Sequence, residues 1–136
     1  MVTRISALAL SLLLLCSSFM LTGCRKETYN LTFKDRDEVI NYALHYVVNV
    51  QDGGEVTKQY YTARVISQEL GFTSFNNPKY SSIDLTQNDD GSFTVKAKGS
   101  ISGQFADGTV GTKGFEIAAL VTSQTEPPQV TVTETK

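Results

Sequence analysis

Cysteine is scarce in this chain, and its placement limits what it can do. The two cysteines, Cys16 and Cys24, both fall near the N-terminus. Everything after position 24 therefore has no disulfide, no thiol nucleophile and no thiolate metal site. Histidine occurs once, as His45, and one imidazole does not supply the several converging ligands a zinc site needs. Basic and acidic side chains number 12 and 14, a formal charge of −2, which lacks the basic excess of a nucleic-acid binder. No wholly apolar run reaches the roughly 20 residues of a comfortable bilayer span. Gly53-Gly54 stands outside any phosphate-loop context, and no nucleophile elbow surrounds the plentiful serines and threonines. No catalytic residue, metal site or cofactor is expected.

What is present begins at the N-terminus. Met1-Val2-Thr3-Arg4 is a short head with one positive charge, and residues 5–15 are almost wholly apolar. That length suits the apolar region of a signal peptide. Extended to Leu21, past Ser11, Ser17 and Ser18, the same stretch reaches about 17 residues and competes as an uncleaved anchor. Leu21-Thr22-Gly23-Cys24 then follows. These four residues resemble the lipobox of bacterial lipoprotein precursors, in which an aliphatic residue and two small ones precede an obligatory cysteine. The resemblance implies cleavage after Gly23, a diacylglycerol group on Cys24 and, in many bacteria, a further acyl chain on the new amine. Two or three chains hold a protein stably where one does so only marginally, at about 0.8 kcal/mol per buried methylene. Position 25 is Arg rather than the Asp that marks inner-membrane retention. In a Gram-negative cell the resemblance therefore places the protein on the outer membrane, facing the periplasm.

The expected organisation is a signal peptide over 1–23, the lipidated cysteine and a short polar spacer over 24–28, and one domain over 29–136. Removing the leader takes away only Arg4, leaving 11 basic and 14 acidic side chains and a formal charge of −3. Residues 29–33 alternate weakly and read as a short strand. From Asp35 the period becomes helical. Asp35 is the expected N-cap, with Glu38 three residues on as in a capping box. Stepping residues 35–51 by 100° puts Val39, Ala43, Tyr46, Val47 and Val50 on one stripe, flanked by Ile40 and Leu44. Asp37, Glu38, Asn41, His45 and Asn49 face away. Gly53-Gly54 is the expected stop. Over 55–70 the period returns through Val56, Tyr60, Ala63, Ile66 and Leu70, with Gly71 as the residue after the cap. Tyr61 and Val65 lie off that face, under a loop spanning 72–80 or in a contact patch.

After residue 80 the period becomes two. Ile83 and Leu85 alternate with Asp84 and Thr86, and an unbroken alternation runs over 92–105. Phe115, Ile117, Ala119 and Val121 make a third row, and Val130 and Val132 a fourth after Pro127-Pro128. Turn chemistry sets the register. Asn88-Asp89-Asp90-Gly91 and Phe105-Ala106-Asp107-Gly108 both suit a three-residue loop closed by a left-handed glycine. The first sets Leu85 opposite Val95 and Ile83 opposite Ala97. The second sets Phe115, Ile117, Ala119 and Val121 opposite Gly99, Ala97, Val95 and Phe93. Two-residue turns would move these rows to the wrong face.

The expected fold class is α+β: two helices on one face of a three- to four-stranded antiparallel meander. Its order looks like the cystatin-like class, whose cone-shaped members cup small ligands; the likeness is of layout, and no site residue follows from it. A 16-residue helix spans roughly 24 Å and the 92–105 strand roughly 45 Å. The outer part of the ribbon should then overhang and offer Phe105, Ile101 and Val110 to a partner, unless it curls back and buries Ile101 and Phe105 against a helix end. His45 lies on the polar helix face and reads as solvated, while Asp89, Asp90 and Asp107 read as turn formers. The function expected is that of a membrane-tethered, non-enzymatic binding or assembly module of the envelope. Its partner would be another envelope protein, a cell-wall component, or an incoming phage or plasmid apparatus. The competing expectations are a ligand-binding or enzymatic pocket between helices and sheet, and a mainly structural envelope protein.

Overall fold

The computed structural model describes residues 28–135. The expected leader 1–23 and Cys24 lie outside them. The first helix, α1 (Arg36–His45), starts where its cap predicts: Glu38 N–H donates to Asp35 Oδ1 at 2.9 Å. The Glu38 carboxylate accepts from the N–H of Lys34, one residue outside the cap, at 2.5 Å. The first satisfies an amide that the helix start leaves open, and the second ties the chain before the cap to the first turn. Residues 29–33 form no strand. They are tied by the Tyr29 N–H to the Asp90 carbonyl at 2.7 Å, with Leu31 and Phe33 packed against the core.

The expected layout of two helices on a meander is overturned. Strands take 53% of the structure and helices 18%, with one sheet of two strands and another of five. The main reason is local. α1 stops at His45, and the chain continues as β1 (Val47–Asp52), turns at Gly53-Gly54 and returns as β2 (Glu55–Tyr60). The two strands pair antiparallel from Val47↔Tyr60 to Asp52↔Glu55. Gly53 and Gly54 have φ of 58° and 92°. Two positive φ values in a two-residue loop match the right-handed twist of the flanking strands, and glycine pays least for them. Val47, Val48, Val50, Val56 and Thr57 are β-branched and favour the extended state. Turn and propensity together override the helical spacing of the apolar residues. Only the second half of the expected second helix forms, as α2 (Tyr61–Glu69). A bond from Tyr61 N–H to the Tyr46 carbonyl, 2.6 Å, closes the neck of the hairpin between the helices.

A four-residue strand, β3 (Phe72–Phe75), occupies the stretch expected to be a loop. β4 (Lys79–Gln87), β5 (Phe93–Phe105), β6 (Val110–Val121) and β7 (Gln129–Thr135) follow. β3 and β4 both pair with β5, β3 with its far end and β4 with the rest, and β6 and β7 complete the sheet. The registers derived from turn chemistry hold. Leu85↔Val95 and Ile83↔Ala97 pair on one side of β5; Phe115↔Gly99, Ile117↔Ala97, Ala119↔Val95 and Val121↔Phe93 pair on the other. Both loops have three residues, closed by Asn88 N–H to Ser92 O at 2.8 Å and Phe105 N–H to Thr109 O at 2.8 Å.

Val95, Ala97 and Ile101 of β5 and Phe115, Ile117, Ala119 and Val121 of β6 are buried with Val39, Ala43 and Leu44 of α1 and Ile66 of α2. A buried bond from the Thr62 hydroxyl to the Ala43 carbonyl ties the helices together. Where β3 crosses β5, Gly103 lies against the backbone of Ser74 and Phe75, too close for a Cβ. Glycine there permits the close approach.

Candidate functional site

The β1–β2 hairpin is an arm without a core of its own. None of its residues is buried, and only Val48, Val50 and Gln59 are partly covered. Side chains alternate across a ribbon, so Val47, Asn49 and Gln51 share one face with Tyr60, Lys58 and Val56. All six are exposed. Val47 is 49% exposed, Val56 62% and Tyr60 39%, so three large apolar side chains stand in water on one two-stranded element. Single exposed apolar residues are ordinary, but such a grouping beside a concavity is the usual sign of a contact surface.

The concavity is a cleft of about 630 Å³ between the arm and β3. Val47, Lys58, Gln59 and Tyr60 line one wall, and Thr73, Ser74, Phe75 and Asn77 the other. Both walls use consecutive residues, 58–60 and 73–75. The β3 register shifts between Phe72 and Ser74, which interrupts the alternation of faces at Thr73, while Val47, Lys58 and Tyr60 line the cleft from one face of the arm. β2 pairs only with β1, and β3 only with β5, so each keeps one edge without a partner strand among the described residues. Lys58 is the only charged residue of the lining. A shallower hollow of about 300 Å³ lies between the start of α1 and the sheet, lined by Phe33, Asp35, Arg36, Val39, Leu85, Gln87 and Phe93.

The three side chains expected at an overhanging tip do not act together. Ile101 is 2% exposed and belongs to the core. Phe105 is half-buried, stacked on Phe72 with centroids 4.5 Å apart and planes 24° from parallel. The Lys113 ammonium sits 5.3 Å from its ring centroid. Val110 alone is free, 77% exposed. The overhang is lost because β3 pairs with the outer part of β5, Phe72↔Phe105 and Phe75↔Gly103.

His45 is exposed, with Nδ1 3.1 Å from Asn41 Oδ1 and its ring edge-on to Tyr60 at 5.0 Å. Asp107 and Asp90 act within their turns. Asp107 Oδ1 accepts from the Thr109 hydroxyl at 2.6 Å and the Thr109 N–H at 2.9 Å, which hold its carboxyl below the usual range. Asp90 makes the same pair of contacts with Ser92. Tyr42 and Tyr46 hook α1 to the β6–β7 connection through hydroxyl bonds to the carbonyls of Glu126, 2.5 Å, and Thr125, 3.1 Å. Burial, then the neighbouring Tyr46, pushes the Tyr42 hydroxyl above its ordinary pKa. The Tyr80 hydroxyl is buried against the core without a hydrogen-bond partner among the described residues, and desolvation pushes it up to about 12. No three His, Cys, Asp or Glu side chains converge as a metal site among the described residues. Nor is any described helix long and apolar enough to cross a membrane.

Periodicity did not point to the cleft, because its residues come from two segments separated by α2. The signal present was Gly53-Gly54 between valine-rich flanks, which marks a hairpin. Compared with protein-family models, curated proteins and solved structures, the chain matches none.

Proposed function

We propose that the protein is a lipid-tethered, non-enzymatic binding module of the bacterial envelope that engages a partner protein at the cleft between the β1–β2 arm and β3. One observation carries this reading: Val47 and Tyr60, exposed on an arm that serves no core, border a cleft lined also by β3, and β2 and β3 each keep an edge without a partner strand among the described residues. The arm is costly to keep if nothing docks on it, since an isolated two-stranded ribbon is marginal in water. The tether comes from the lipobox resemblance at Leu21-Thr22-Gly23-Cys24, and its geometry suits such a role. Tyr29, five residues after Cys24, is bonded at the β4–β5 turn, while the β3 wall meets β5 at residues 103–105. Ten residues of strand, roughly 33 Å at 3.3 Å per residue, separate those levels. A chain anchored by lipid on Cys24 would then enter the domain at the level opposite the β3 wall.

A photocrosslinking amino acid placed at Tyr60 or Ser74 in living cells tests the site, with Lys96 on the polar sheet face as control. The expected result is a discrete adduct with one envelope protein from both cleft positions and none from Lys96. Adducts from Lys96 alone, or none from either cleft position, would overturn the assignment.

A further inference from the structure

The chemistry of the walls narrows the occupant further, on the premise that the cleft is the binding site. An unpaired strand edge presents a row of N–H and C=O groups whose natural complement is another extended backbone. Here β2 and β3, each with an edge unpaired among the described residues, both contribute to the lining of one cleft. A helix laid in the cleft would satisfy neither edge, because its own backbone bonds are internal. Along the far edge of the sheet, β7 exposes Gln129, Thr131, Thr133 and Glu134 instead of large apolar groups.

Side-chain chemistry adds a second constraint. Val47, Tyr60 and Phe75 give the walls apolar surface at which alternate residues of an added strand can rest. Lys58 is exposed, has no carboxylate beside it in the lining, and sits in a chain of net charge −2. The cleft is a local positive spot on an acidic molecule, and an acidic group on the incoming segment complements it.

We infer that the cleft accepts an extended segment of the partner polypeptide as an added β-strand, with apolar side chains at alternate positions and a carboxylate set against Lys58. Recognition divides as in other strand additions: backbone bonds supply affinity, and the apolar and acidic side chains supply selectivity.

The test uses the full-length protein in detergent micelles, panned against a displayed library of fully randomised heptapeptides. The expected winners alternate aliphatic or aromatic residues, carry at least one Asp or Glu and lack proline. Panning on Lys58→Glu should exchange the acidic preference for Lys or Arg. A lost positive charge alone would lower affinity; a reversed preference requires direct contact with the peptide. The best peptide, resynthesised with alternate backbone nitrogens methylated in each of the two phases, should lose at least tenfold in affinity in one phase. Winners with helical spacing or proline, a preference unmoved by Lys58→Glu, equal affinity of both methylated forms with the parent, or no enrichment would each overturn strand addition. These failures are separable from failure of the site itself, because the crosslinks from Tyr60 and Ser74 do not depend on the bound segment's conformation.

Discussion

Phe105 and Tyr80 are each half-covered aromatics, yet their polar surroundings differ. Phe105 lies between the Phe72 ring and the Lys113 ammonium, which also donates to the Leu70 carbonyl at 3.2 Å and faces Glu134 at 3.5 Å. Truncating a fully buried phenylalanine costs about 3–5 kcal/mol, and a half-buried ring should cost about half of that. Phe105→Ala is therefore expected to lower the unfolding free energy by about 2 kcal/mol, read from a denaturant midpoint shift at constant slope. A shift near zero would mean the ring is free to meet a partner after all. Tyr80 shows the opposite case, a ring edge-on to Phe115 at 5.8 Å with its hydroxyl buried and unpaired. Removing an unpaired polar atom relieves its desolvation, so Tyr80→Phe should leave stability unchanged or raise it by up to about 1 kcal/mol. The alkaline side gives a second check. Burial lifts the hydroxyl from 10.0 to about 12 in the folded state, so above pH 10 the unfolded chain loses the proton first. This contribution is intact below pH 10 and is lost between pH 10 and about 12. Denaturation curves across that interval should fall less steeply for Tyr80→Phe than for the parent.

Among the elements, the arm and the long β4–β5–β6 ribbon show how differently local signals can resolve. In the ribbon, alternation and turn chemistry agree. Leu85 meets Val95 and Ile117 meets Ala97 because loops closed by Gly91 and Gly108 allow one register that keeps the apolar rows on one face. In the arm they disagree. Val39, Ala43, Tyr46, Val47 and Val50 have helical spacing, and so do Val56, Tyr60, Ala63, Ile66 and Leu70. The middle of this pattern nevertheless forms strands around Gly53-Gly54. The consequence is visible in burial: Val39, Ala43, Ile66 and Leu70 are in the core, whereas Val47, Val56 and Tyr60 are exposed. The hairpin therefore rests on its turn. Gly54→Ala forces a residue with a Cβ to φ near 92°, at a cost of about 1 kcal/mol or more. We expect amide exchange across residues 47–60 to quicken about tenfold while the global denaturation midpoint stays put, because no arm residue belongs to the core. A matching fall in global stability would show that the arm folds with the sheet.

For the molecule as a whole, the lipid and the fold should be separable. The core draws on residues from Leu31 onward, and the acylation site inferred from the lipobox lies at Cys24. Cys24→Ala is expected to abolish incorporation of labelled palmitate and leave the leader uncleaved, with the domain keeping its far-ultraviolet dichroism and melting temperature. Undiminished palmitate labelling in that variant would remove the lipoprotein reading, whatever the cleft binds.

The sequence by itself determined the first helix start, through Asp35 and Glu38, the apolar faces of β5 and β6, and the pairing of both long hairpins. Each depends on contacts only a few residues apart or on a period-two pattern that fails if shifted by one residue. Tertiary structure decided the rest. Whether residues 47–60 were helix or hairpin turned on a contest between apolar spacing and the Gly53-Gly54 turn, and no helix of the core claimed their side chains. Phe105 became half-covered because a four-residue strand, too short for periodicity to register, returned after α2 to pair with the end of β5 and set Phe72 against its ring. The cleft exists only because that strand and the arm come to border the same space. No pattern confined to either segment encodes it.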